Sequence, residues 1–460
     1  VAVIGSGPAG FYVVQHLFGA ADLDVRVDMF DRLPTPFGLV RHGVAPDHLK
    51  IKTVIAVYHK LAQNPRFRFF GGVEFGRDVS LDDLRKSYHQ IVFCTGAQTD
   101  RRLGIPGEDL AGSHPATEFV AWYNGHPDFA GHQFDLSCGA AVVIGVGNVA
   151  VDVARILCRS QSELLETDIA DYALEALAKS QIRKIYLLGR RGPAQAAFTN
   201  AEIKELGELE EAETSTLPEE AALDPLSEEE LKASGERVLA KKVEIIQSYA
   251  GRSEPEKPKK LKIRFLVSPV ELIGDDEGRV KAVKIVRNRL EKGRDGSLKA
   301  RPTEEYETIE AGLVFRSVGY HGVALRDVPF LEKQGVIPNE AGRVLDGEAG
   351  APLTGLYVAG WIKRGPTGVI GTNKGDAKET VDCMLEDLAQ RKVLAPVDPD
   401  PAAMDRLLLG RKVEPVSYAD WIRLDMIELD RGKAVGRPRV KITGWEEFKQ
   451  MMKEKDAPVG

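Results

Sequence analysis

The sequence predicts an α/β protein of two doubly wound domains, with the second domain inserted into the first. Two observations lead to this prediction. An apolar strand, a glycine-rich turn and a helix follow one another from Val1, and the same succession recurs from Ala140. Short apolar runs closed by glycine are typical of parallel strands that are buried on both faces. We therefore place a first domain at residues 1–102, an inserted domain at 103–320, and the remainder of the first domain with a C-terminal tail at 321–460.

The composition is that of a globular chain with room for more than one domain. Its 460 residues suit two or three domains. A net charge of −7 gives no reason to expect nucleic acid or an anionic membrane as a partner. No uninterrupted apolar run approaches the roughly 20 residues of a membrane-spanning helix. The four cysteines form no C-x-x-C pair and no metal-ligand spacing, so we expect no metal site and a reducing compartment.

Apolar runs and helical periodicity place the elements of the first domain. A proline- and glycine-rich loop separates its early elements, because Pro34, Pro36 and Gly38 lie close together. The predicted elements are strand 1–4, helix 11–18, strand 25–30, helix 51–62, strand 67–70 and strand 90–95. After the insertion we predict strand 355–360, a helix of about 15 residues that begins near residue 370, and a partly helical tail beyond residue 395.

The inserted domain is predicted in the same way. Its elements are strand 140–144, a helix that ends at 157, strand 183–189, an acidic helix over 202–213, two antiparallel strands at 261–267 and 280–286, and strand 313–318. The acidic segment 217–235, which contains Pro218 and Pro225, is expected to be a solvated excursion.

The first glycine motif has the form G-x-G-x-x-G and consists of Gly5, Gly7 and Gly10. Its glycines allow a tight turn, a close approach of the backbone to a pyrophosphate, and close packing of helix on strand. The N–H groups at the helix N-terminus attract phosphate. Asp31 ends the next strand, where an acid binds a ribose hydroxyl. These residues predict a dinucleotide site; the alternative is a plain strand–helix turn with a surface acid.

The second glycine motif consists of Gly145, Gly147 and Ala150, and its second strand ends in Arg190 and Arg191 rather than in an acid. Two guanidinium groups at this place favour the 2′-phosphate of NADPH over the bare hydroxyls of NADH. The alternative is a pair of solvated arginines at a strand end. About 40 residues separate Ala150 from Arg190, so an insertion is expected between them.

A third glycine-rich segment comprises Gly360, Trp361, Gly368, Val369 and Ile370. Its N–H groups suit the pyrimidine end of a flavin, where negative charge develops on reduction. A plain glycine loop is the alternative. The residues alone do not single out His48, which fits a loop hydrogen bond, or Glu205, which lies in an acidic helix.

Taken together, these motifs resemble the adrenodoxin reductases and the bacterial NADPH–ferredoxin reductases, flavoproteins with two dinucleotide-binding domains like those of glutathione reductase. The resemblance covers nearly the whole chain. Its most specific segments are 36–41, 43–48, 67–71, 189–193 with 197–199, and 361–371. The resemblance implies two Rossmann-like domains, with the NADP domain inserted into a discontinuous FAD domain.

The resemblance also implies the residues that hold each cofactor. FAD is expected at Ala9, Asp31, Leu39, Val73, Trp361 and Gly368 to Ile370, in addition to the glycines of the first motif. NADP(H) is expected at Val146, Gly147, Asn148, Val149, Arg190, Arg191, Glu202 and Gly368. His48 and Glu205 are expected near the nicotinamide, where they influence hydride transfer. Asp31 stands where the family usually has glutamate, Val146 where it has glutamine or asparagine, and Leu49 where it has proline.

The implied activity is hydride transfer from NADPH to FAD, followed by single electrons to a ferredoxin or an adrenodoxin-like iron–sulfur protein. An NADPH oxidase or quinone reductase on the same scaffold stays open, and so does an FAD-binding module without turnover. Disulfide reduction is disfavoured because the paired cysteines it needs are missing. We expect a cytoplasmic location, as in the bacterial branch, while the mitochondrial matrix is not excluded. A basic face for an acidic ferredoxin has as candidates Arg183, Lys184, Lys241, Lys242, Lys257, Lys259, Lys260 and Lys262.

Overall fold

A computed structural model describes residues 1–21, 23–252 and 257–453. Residues 454–460, the end of the predicted tail, lie outside the described residues. The chain divides into two compact units, of which the first covers Val1–Thr99 and Gly319–Gly460 and the second covers Asp100–Val318. Each unit has a parallel sheet at its centre, which confirms the predicted fold class of two Rossmann-like domains with one inserted into the other.

The strands of the described chain, in order, are β1 Ala2–Ile4, β2 Val27–Asp31, β3 Phe67–Gly71, β4 Ile91–Phe93, β5 Thr99–Asp100, β6 Ser113–Pro115, β7 Ala140–Ile144, β8 Lys184–Leu188, β9 Ala212–Thr216, β10 Lys259–Arg264, β11 Val267–Gly274, β12 Val280–Lys292, β13 Leu298–Glu310, β14 Leu313–Arg316, β15 Tyr320–His321, β16 Asn339–Glu340, β17 Arg343–Leu345 and β18 Pro352–Val358.

The helices are α1 Pro8–Gly19, α2 Leu39–His42, α3 Leu49–Lys52, α4 Ile55–Ala62, α5 Leu81–Ser87, α6 Ala116–Tyr123, α7 Asn148–Cys158, α8 Gln161–Leu165, α9 Asp171–Ala178, α10 Asn200–Leu206, α11 Pro218–Ala221, α12 Pro225–Ser234, α13 Arg237–Gln247, α14 Trp361–Arg364, α15 Thr372–Ala389, α16 Ala403–Gly410, α17 Tyr418–Ala434 and α18 Trp445–Lys453, with a 3₁₀ turn at Pro193–Gln195.

The sheet of the first unit has the strand order β16-β17-β18-β4-β1-β2-β3. Its inner strands are parallel, and Ala2 pairs with Asp28 on one side and with Ile91 on the other. Successive side chains of β1 lie on opposite faces of the sheet. Val3 packs against α1 and α15 on one face, and Ala2 packs into a second hydrophobic core on the other. The carboxyl ends of the parallel strands therefore open at one edge, where doubly wound sheets bind ligands.

The sheet of the second unit has the strand order β6-β14-β7-β8-β10-β9, and all of its pairs are parallel. One face is covered by α6 and α7. The other face is covered by the antiparallel sheet β11-β12-β13, whose Val283 and Ile285 share a core with Val142 and Ile144. Both faces of the parallel sheet are thus buried, which explains the continuous apolar run of β7.

The predicted antiparallel pair 261–267 with 280–286 is wrong in its first member. Strand β10 is an inner parallel strand of the six-stranded sheet, with Leu261 paired to Ile185. The antiparallel partner of β12 is β11, and β13 adds a third strand that the sequence analysis did not predict. Leu266 lies between β10 and β11 with a φ of 57°, so the chain changes sheets there.

The predicted helix 202–213 is too long at its C-terminal end. Helix α10 ends at Leu206, and β9 follows as the edge strand beside β10. The side chains of Ala212, Thr214 and Thr216 are buried in alternation along β9, and the Thr214 hydroxyl donates to the carbonyl oxygen of Leu206. This alternation is typical of a half-buried strand. The acidic residues that precede β9 make the pattern hard to recognise in the sequence.

The predicted solvated excursion 217–235 is largely exposed, as expected, but it folds as α11 and α12 and buries Glu220, Ala221 and Ser227. Asp224 caps α12 by accepting from the backbone N–H groups of Leu226 and Ser227, at 3.0 and 3.2 Å. Glu220 is 1% exposed and forms an ion pair with Arg264 at 2.9 Å. The single predicted helix 51–62 is likewise divided, into α3 and α4. Among the described helices, none combines the length and the apolar character that a membrane crossing requires.

Candidate functional site

Two glycines shape the turn after β1 because a side chain at either would meet backbone. Gly5 has a φ of 108°, and a Cβ there would lie 2.5 Å from the carbonyl oxygen of Cys94. A Cβ on Gly10 would collide with the carbonyl oxygen of Gly5. At Gly7, in contrast, a Cβ would meet nothing within 4 Å. The first and third glycines therefore serve packing, while the second leaves open space at the N-terminus of α1, where a pyrophosphate would approach.

Asp31 ends β2 and its carboxylate reaches the glycine turn. Its Oδ2 accepts from the backbone N–H of Ser6 at 2.9 Å and from the Ser6 hydroxyl at 2.5 Å. Its Oδ1 accepts from the backbone N–H of Leu33 at 2.9 Å. Burial raises the pKa of Asp31, and these hydrogen bonds act in the opposite direction. A carboxylate offers about four acceptor positions, so Asp31 retains capacity for a ribose hydroxyl.

The N-terminus of α14 lies against the N-terminus of α1. Gly360 has a φ of 82°, and a Cβ there would lie 2.6 Å from the Cβ of Ala9. The Gly360 N–H donates to Oδ2 of Asp376 at 2.5 Å. Two segments that are 350 residues apart in the sequence are thereby brought to one edge of the sheet, with Ala9 and Trp361 among the predicted flavin residues.

Side-chain hydrogen bonds fold the segment after Trp361 back on itself. The indole N–H of Trp361 donates to the carbonyl oxygen of Thr367 at 3.1 Å. Arg364 donates to the same oxygen at 3.1 Å and to Oδ1 of Asn373 at 3.2 Å. The Trp361 ring lies 5.3 Å from the ring of Tyr320, measured between centroids. These contacts fix the path of the chain into the next glycine segment.

Gly368, Val369 and Ile370 form an accessible stretch directly before α15. Gly368 has a φ of 80° and Val369 is 55% exposed. The Val369 N–H donates to the Thr372 hydroxyl at 3.1 Å, and the Asn373 amide donates to the carbonyl oxygen of Ile370 at 3.1 Å. The stretch is therefore held from the helix side while its other side faces outward, as a ligand-contacting segment requires.

The remaining predicted residues of the first unit lie on three separate segments. Leu39 begins α2 and is half-buried. Val73 is 1% exposed, and its N–H donates to the carbonyl oxygen of Asp31 at 2.9 Å. His48 is half-buried and directly precedes α3, where its carbonyl oxygen accepts from the N–H of Ile51 at 3.0 Å. Val73 is thus tied to the end of β2, and His48 caps a short helix.

The glycine turn of the second unit repeats the geometry of the first. Gly145 has a φ of 133°, and a Cβ there would collide with the carbonyl oxygen of Ser317. At Gly147 a Cβ would meet nothing within 4 Å. Helix α7 begins directly after Gly147, with Val149 in its first turn. Open space again lies at the N-terminus of the helix that follows the first strand.

Residues 197–199 cover this second turn. The carbonyl oxygen of Val146 accepts from the N–H groups of Ala197 and Phe198, at 2.9 and 3.1 Å. The side-chain oxygen of Asn148 accepts from the N–H of Thr199 at 2.9 Å. The main chain of Val146 thus fixes the turn.

Arg190 and Arg191 follow β8 at the carboxyl edge of the second sheet. Arg190 is exposed and Arg191 is half-buried. Neither guanidinium forms an ion pair with any described residue. Burial lowers the pKa of Arg191, the charge of Arg190 lowers it further, and Glu230 opposes both effects. Two neighbouring cations without a bound carboxylate are suited to a dianionic phosphate.

Glu202 and Glu205 lie one turn apart on α10 and share a buried arginine. Arg155 is fully buried and donates to Glu202 at 3.1 Å and to Asp152 at 2.6 Å. Its Nη1 lies 3.5 Å from a carboxylate oxygen of Glu205, which is 40% exposed. One guanidinium therefore orients two of the predicted site residues, because both carboxylates approach the same nitrogen.

Neither Ser6 nor Arg155 is among the site residues predicted from the sequence. Ser6 is fully buried inside the glycine motif, and only the fold shows that its hydroxyl meets Asp31. Arg155 lies in α7 among mostly apolar residues, with Asp152 three residues before it, and a cation among buried positions was the signal that partners must exist.

A family model described as "Pyridine nucleotide-disulphide oxidoreductase" matches residues 1–188. NADPH-ferredoxin reductase FprA of Mycobacterium tuberculosis is 44% identical over 457 residues, which are 97% of this chain and 98% of that protein. Mitochondrial NADPH:adrenodoxin oxidoreductase of Homo sapiens is 41% identical over 468 residues, with 98% of this chain and 91% of that protein covered.

A solved structure of Mycobacterium tuberculosis FprA in complex with NADPH superimposes with a TM-score of 0.91, at 42% identity and with 98% of both chains covered. The two sheets, each with a glycine turn at its carboxyl edge, define a flavoprotein oxidoreductase with two dinucleotide-binding domains. Within that class, the chain belongs to the family of NADPH–ferredoxin and NADPH–adrenodoxin reductases. The resemblance stated from the sequence is confirmed.

Proposed function

We propose that this chain is an NADPH-dependent reductase of a ferredoxin or an adrenodoxin-like iron–sulfur protein, with FAD and NADP(H) as cofactors. The observation that carries the proposal is the pair Arg190 and Arg191 at the end of the second strand of a dinucleotide fold. Bound FAD would supply the acceptor for a hydride from NADPH and the source of single electrons for the iron–sulfur protein.

The residues of the first unit fit FAD. The open position at Gly7 and the N–H groups of α1 suit the pyrophosphate, and Asp31 suits the ribose. Residues 368–370 present their main chain before α15, where N–H groups stabilise negative charge on a reduced ring. The residues that hold FAD in this proposal are Gly5, Gly7, Ala9, Gly10, Asp31, Leu39, Val73, Trp361, Gly368, Val369 and Ile370.

The residues of the second unit fit NADP(H). The open position at Gly147 suits the pyrophosphate, and the two arginines suit the 2′-phosphate. Removing hydrogen bonds to a charged group costs about 1.5–3 kcal/mol each, so the arginines are sufficient to explain a strong preference for NADPH. The residues that hold NADP(H) in this proposal are Val146, Gly147, Asn148, Val149, Arg190, Arg191 and Glu202 of the second unit, together with Gly368 of the first unit.

His48 and Glu205 are proposed to act at the nicotinamide end by orienting it and by setting its electrostatic surroundings. Arg155 supports the Glu205 carboxylate at 3.5 Å. The contribution of these side chains is positioning, because hydride transfer needs near-contact geometry more than it needs a protein acid or base.

The cysteines argue against disulfide reduction by this chain. All four, Cys94, Cys138, Cys158 and Cys383, are free thiols within the described residues. Burial raises the pKa of every one of them. A disulfide reductase needs a thiolate, which requires a lowered pKa. The free thiols also favour a reducing compartment, and we propose the cytoplasm.

The docking of an acidic partner is proposed to involve basic side chains of the second unit. Five of the candidates already have partners within this unit. Lys259 donates to the carbonyl oxygens of Leu157 and Arg159, Lys242 to that of Ala196, and Lys257 to that of Leu209. Arg183 donates to the carbonyl oxygens of Ser180 and Ile182, and Lys241 pairs with Glu244.

The test is NADPH-driven reduction of cytochrome c by the purified protein, with and without added ferredoxin. Strong stimulation by ferredoxin supports electron delivery to an iron–sulfur protein. A rate that several ferredoxins leave unchanged, while NADPH still bleaches the flavin, would favour a quinone or oxygen acceptor instead. A flavin that NADPH does not bleach would favour a module without turnover.

A further inference from the structure

The main chain that carries Arg190 and Arg191 is held by the strands next to it. Gly189 donates its N–H to the carbonyl oxygen of Arg264 at 2.8 Å and accepts from the N–H of Val267 at 3.0 Å. The carbonyl oxygen of Arg191 accepts from the N–H of Leu266 at 3.1 Å. The turn is therefore fastened at both ends to the junction of β10 and β11.

The middle of the turn is fastened by one side chain. The amide of Asn288 donates to the carbonyl oxygen of Arg190 at 2.9 Å and to the hydroxyl of Ser268 at 2.8 Å. The backbone N–H of Asn288 donates to the carbonyl oxygen of Leu266 at 2.6 Å. Asn288 is 5% exposed and lies at a bulge in β12, after Val286. A bulge re-aims a side chain, and here the amide points at the arginine turn.

Asn288 also holds the residue that anchors Arg191. Leu266 has a φ of 57°, a left-handed conformation that is unfavourable for a residue with a Cβ. Such a conformation persists only where the surroundings over-determine it. Asn288 supplies one of those constraints through its main chain and fixes Arg190 through its side chain, so it couples both arginines to one rigid sheet.

We propose that Asn288 is a specificity-determining positioning residue for the 2′-phosphate of the coenzyme. This inference rests on the proposed role of Arg190 and Arg191. Their side chains are long and form no ion pair with any described residue, so their convergence on one phosphate depends on where their main chain is held. Loss of the Asn288 amide releases the middle of that turn at Arg190, and the contacts to the 2′-phosphate weaken while the rest of the nucleotide keeps its own.

The test uses the purified flavoprotein and measures the dissociation constants of 2′,5′-ADP and 5′-AMP by calorimetry. Asn288→Asp keeps the shape of the side chain but cannot donate to the Arg190 carbonyl oxygen, and Asn288→Ala removes the group. Both variants are expected to lower the preference for 2′,5′-ADP over 5′-AMP by about tenfold, with 5′-AMP binding little changed. Ser268→Ala is the matched control, because it removes the other acceptor of the same amide and should leave the preference unchanged.

A variant in which both Arg190 and Arg191 are replaced by alanine tests the phosphate site separately from the role of Asn288. If that variant keeps the preference for 2′,5′-ADP, the proposed phosphate site is wrong. If it abolishes the preference but Asn288→Asp and Asn288→Ala keep it, the role of Asn288 is refuted and the phosphate site stands. Adding Asn288→Ala to the double variant should cause no further loss of preference. A further loss would show that Asn288 acts by another route.

Discussion

Replacing Glu428 by glutamine tests how the C-terminal segment supports the first unit. Glu428 is fully buried in α17, and its carboxylate accepts four hydrogen bonds from described residues. Two come from Arg41 at 2.5 and 2.8 Å, one from Arg439 at 2.7 Å, and one from the N–H of Ile442 at 2.8 Å. Arg41 lies two residues after Leu39, so the carboxylate connects the C-terminal region to a segment that is proposed to hold FAD.

The loss in the free energy of unfolding on Glu428→Gln follows from these contacts. Glutamine keeps one acceptor oxygen and places an N–H₂ donor against an arginine, so about half of the hydrogen bonds are lost. At about 1.5–3 kcal/mol for each bond to a charged group, the loss is about 3–6 kcal/mol. Removing one partner of a buried ion pair costs about 3–5 kcal/mol. For a unit of 150–250 residues, 1 kcal/mol corresponds to about 2–4 °C, so a loss of about 3–6 kcal/mol should lower the Tm by about 6–24 °C.

The assay is thermal unfolding followed by circular dichroism, with release of flavin fluorescence as a second signal. Glu447→Gln is the matched control, because Glu447 pairs with Arg431 at 2.6 Å while both side chains are 36% exposed. An exposed pair contributes about 0–1 kcal/mol, so the control should unfold within a few degrees of the unchanged protein.

The pH dependence gives a second check on the same carboxylate. Burial tends to raise the pKa of Glu428, but Arg41 and Arg439 outweigh it and the pKa is lowered. A carboxyl whose pKa is lower in the folded state stabilises fully above its unfolded pKa, which is about 4.3 for glutamate, and loses that contribution as the pH falls further. The difference in Tm between the protein and Glu428→Gln should therefore shrink below about pH 4. Equal Tm values for Glu428→Gln and the control, or a difference that persists in acid, would refute the reasoning.

Three further predictions concern the second unit and the partner. Gly147→Ala should raise the KM for NADPH at least about tenfold, because the added methyl group occupies the space proposed for the pyrophosphate. Its Tm should be nearly unchanged, because a Cβ at this position meets no protein atom within 4 Å. Gly145→Ala should instead lower the Tm, because its Cβ would collide with the carbonyl oxygen of Ser317. Arg155→Met should lower the free energy of unfolding of the second unit by about 3–5 kcal/mol, measured in urea. Arg155→Lys should recover part of that loss. An unchanged free energy of unfolding for Arg155→Met would mean that the carboxylates around Arg155 are solvated. Turnover with ferredoxin should slow as salt rises, and a rate that is insensitive to ionic strength would argue against electrostatic docking.

Much of the candidate site was predictable because its signals are local. A strand, a glycine turn and a helix are adjacent in the chain, and the acid or arginines that complete the site follow at the end of the next strand. Gly5 and Gly145 are confirmed as turn glycines by their positive φ values. Asp31 follows from the same rule, since the carboxyl ends of parallel neighbours meet at one edge.

The errors came from segments whose folding depends on distant partners. The segment around Glu220 is acidic and contains prolines, which is typical of solvated chain. Its structure depends on Arg264, which lies 44 residues further along the chain and donates a hydrogen bond to the buried carboxylate of Glu220. The strand at 261–267 was assigned to the wrong sheet because apolar runs of that length fit parallel and antiparallel strands equally.

By itself, the sequence determined the class of fold, the two dinucleotide motifs and the kind of coenzyme, since each rests on residues within one strand–turn–helix unit. Only the tertiary structure decided which groups hold those motifs in place. Asn288 meets Arg190 across 98 residues, and Glu428 meets Arg41 across 387. The physical reason is that a buried polar group must find a partner, and packing of distant elements, not sequence spacing, determines which partner is within reach.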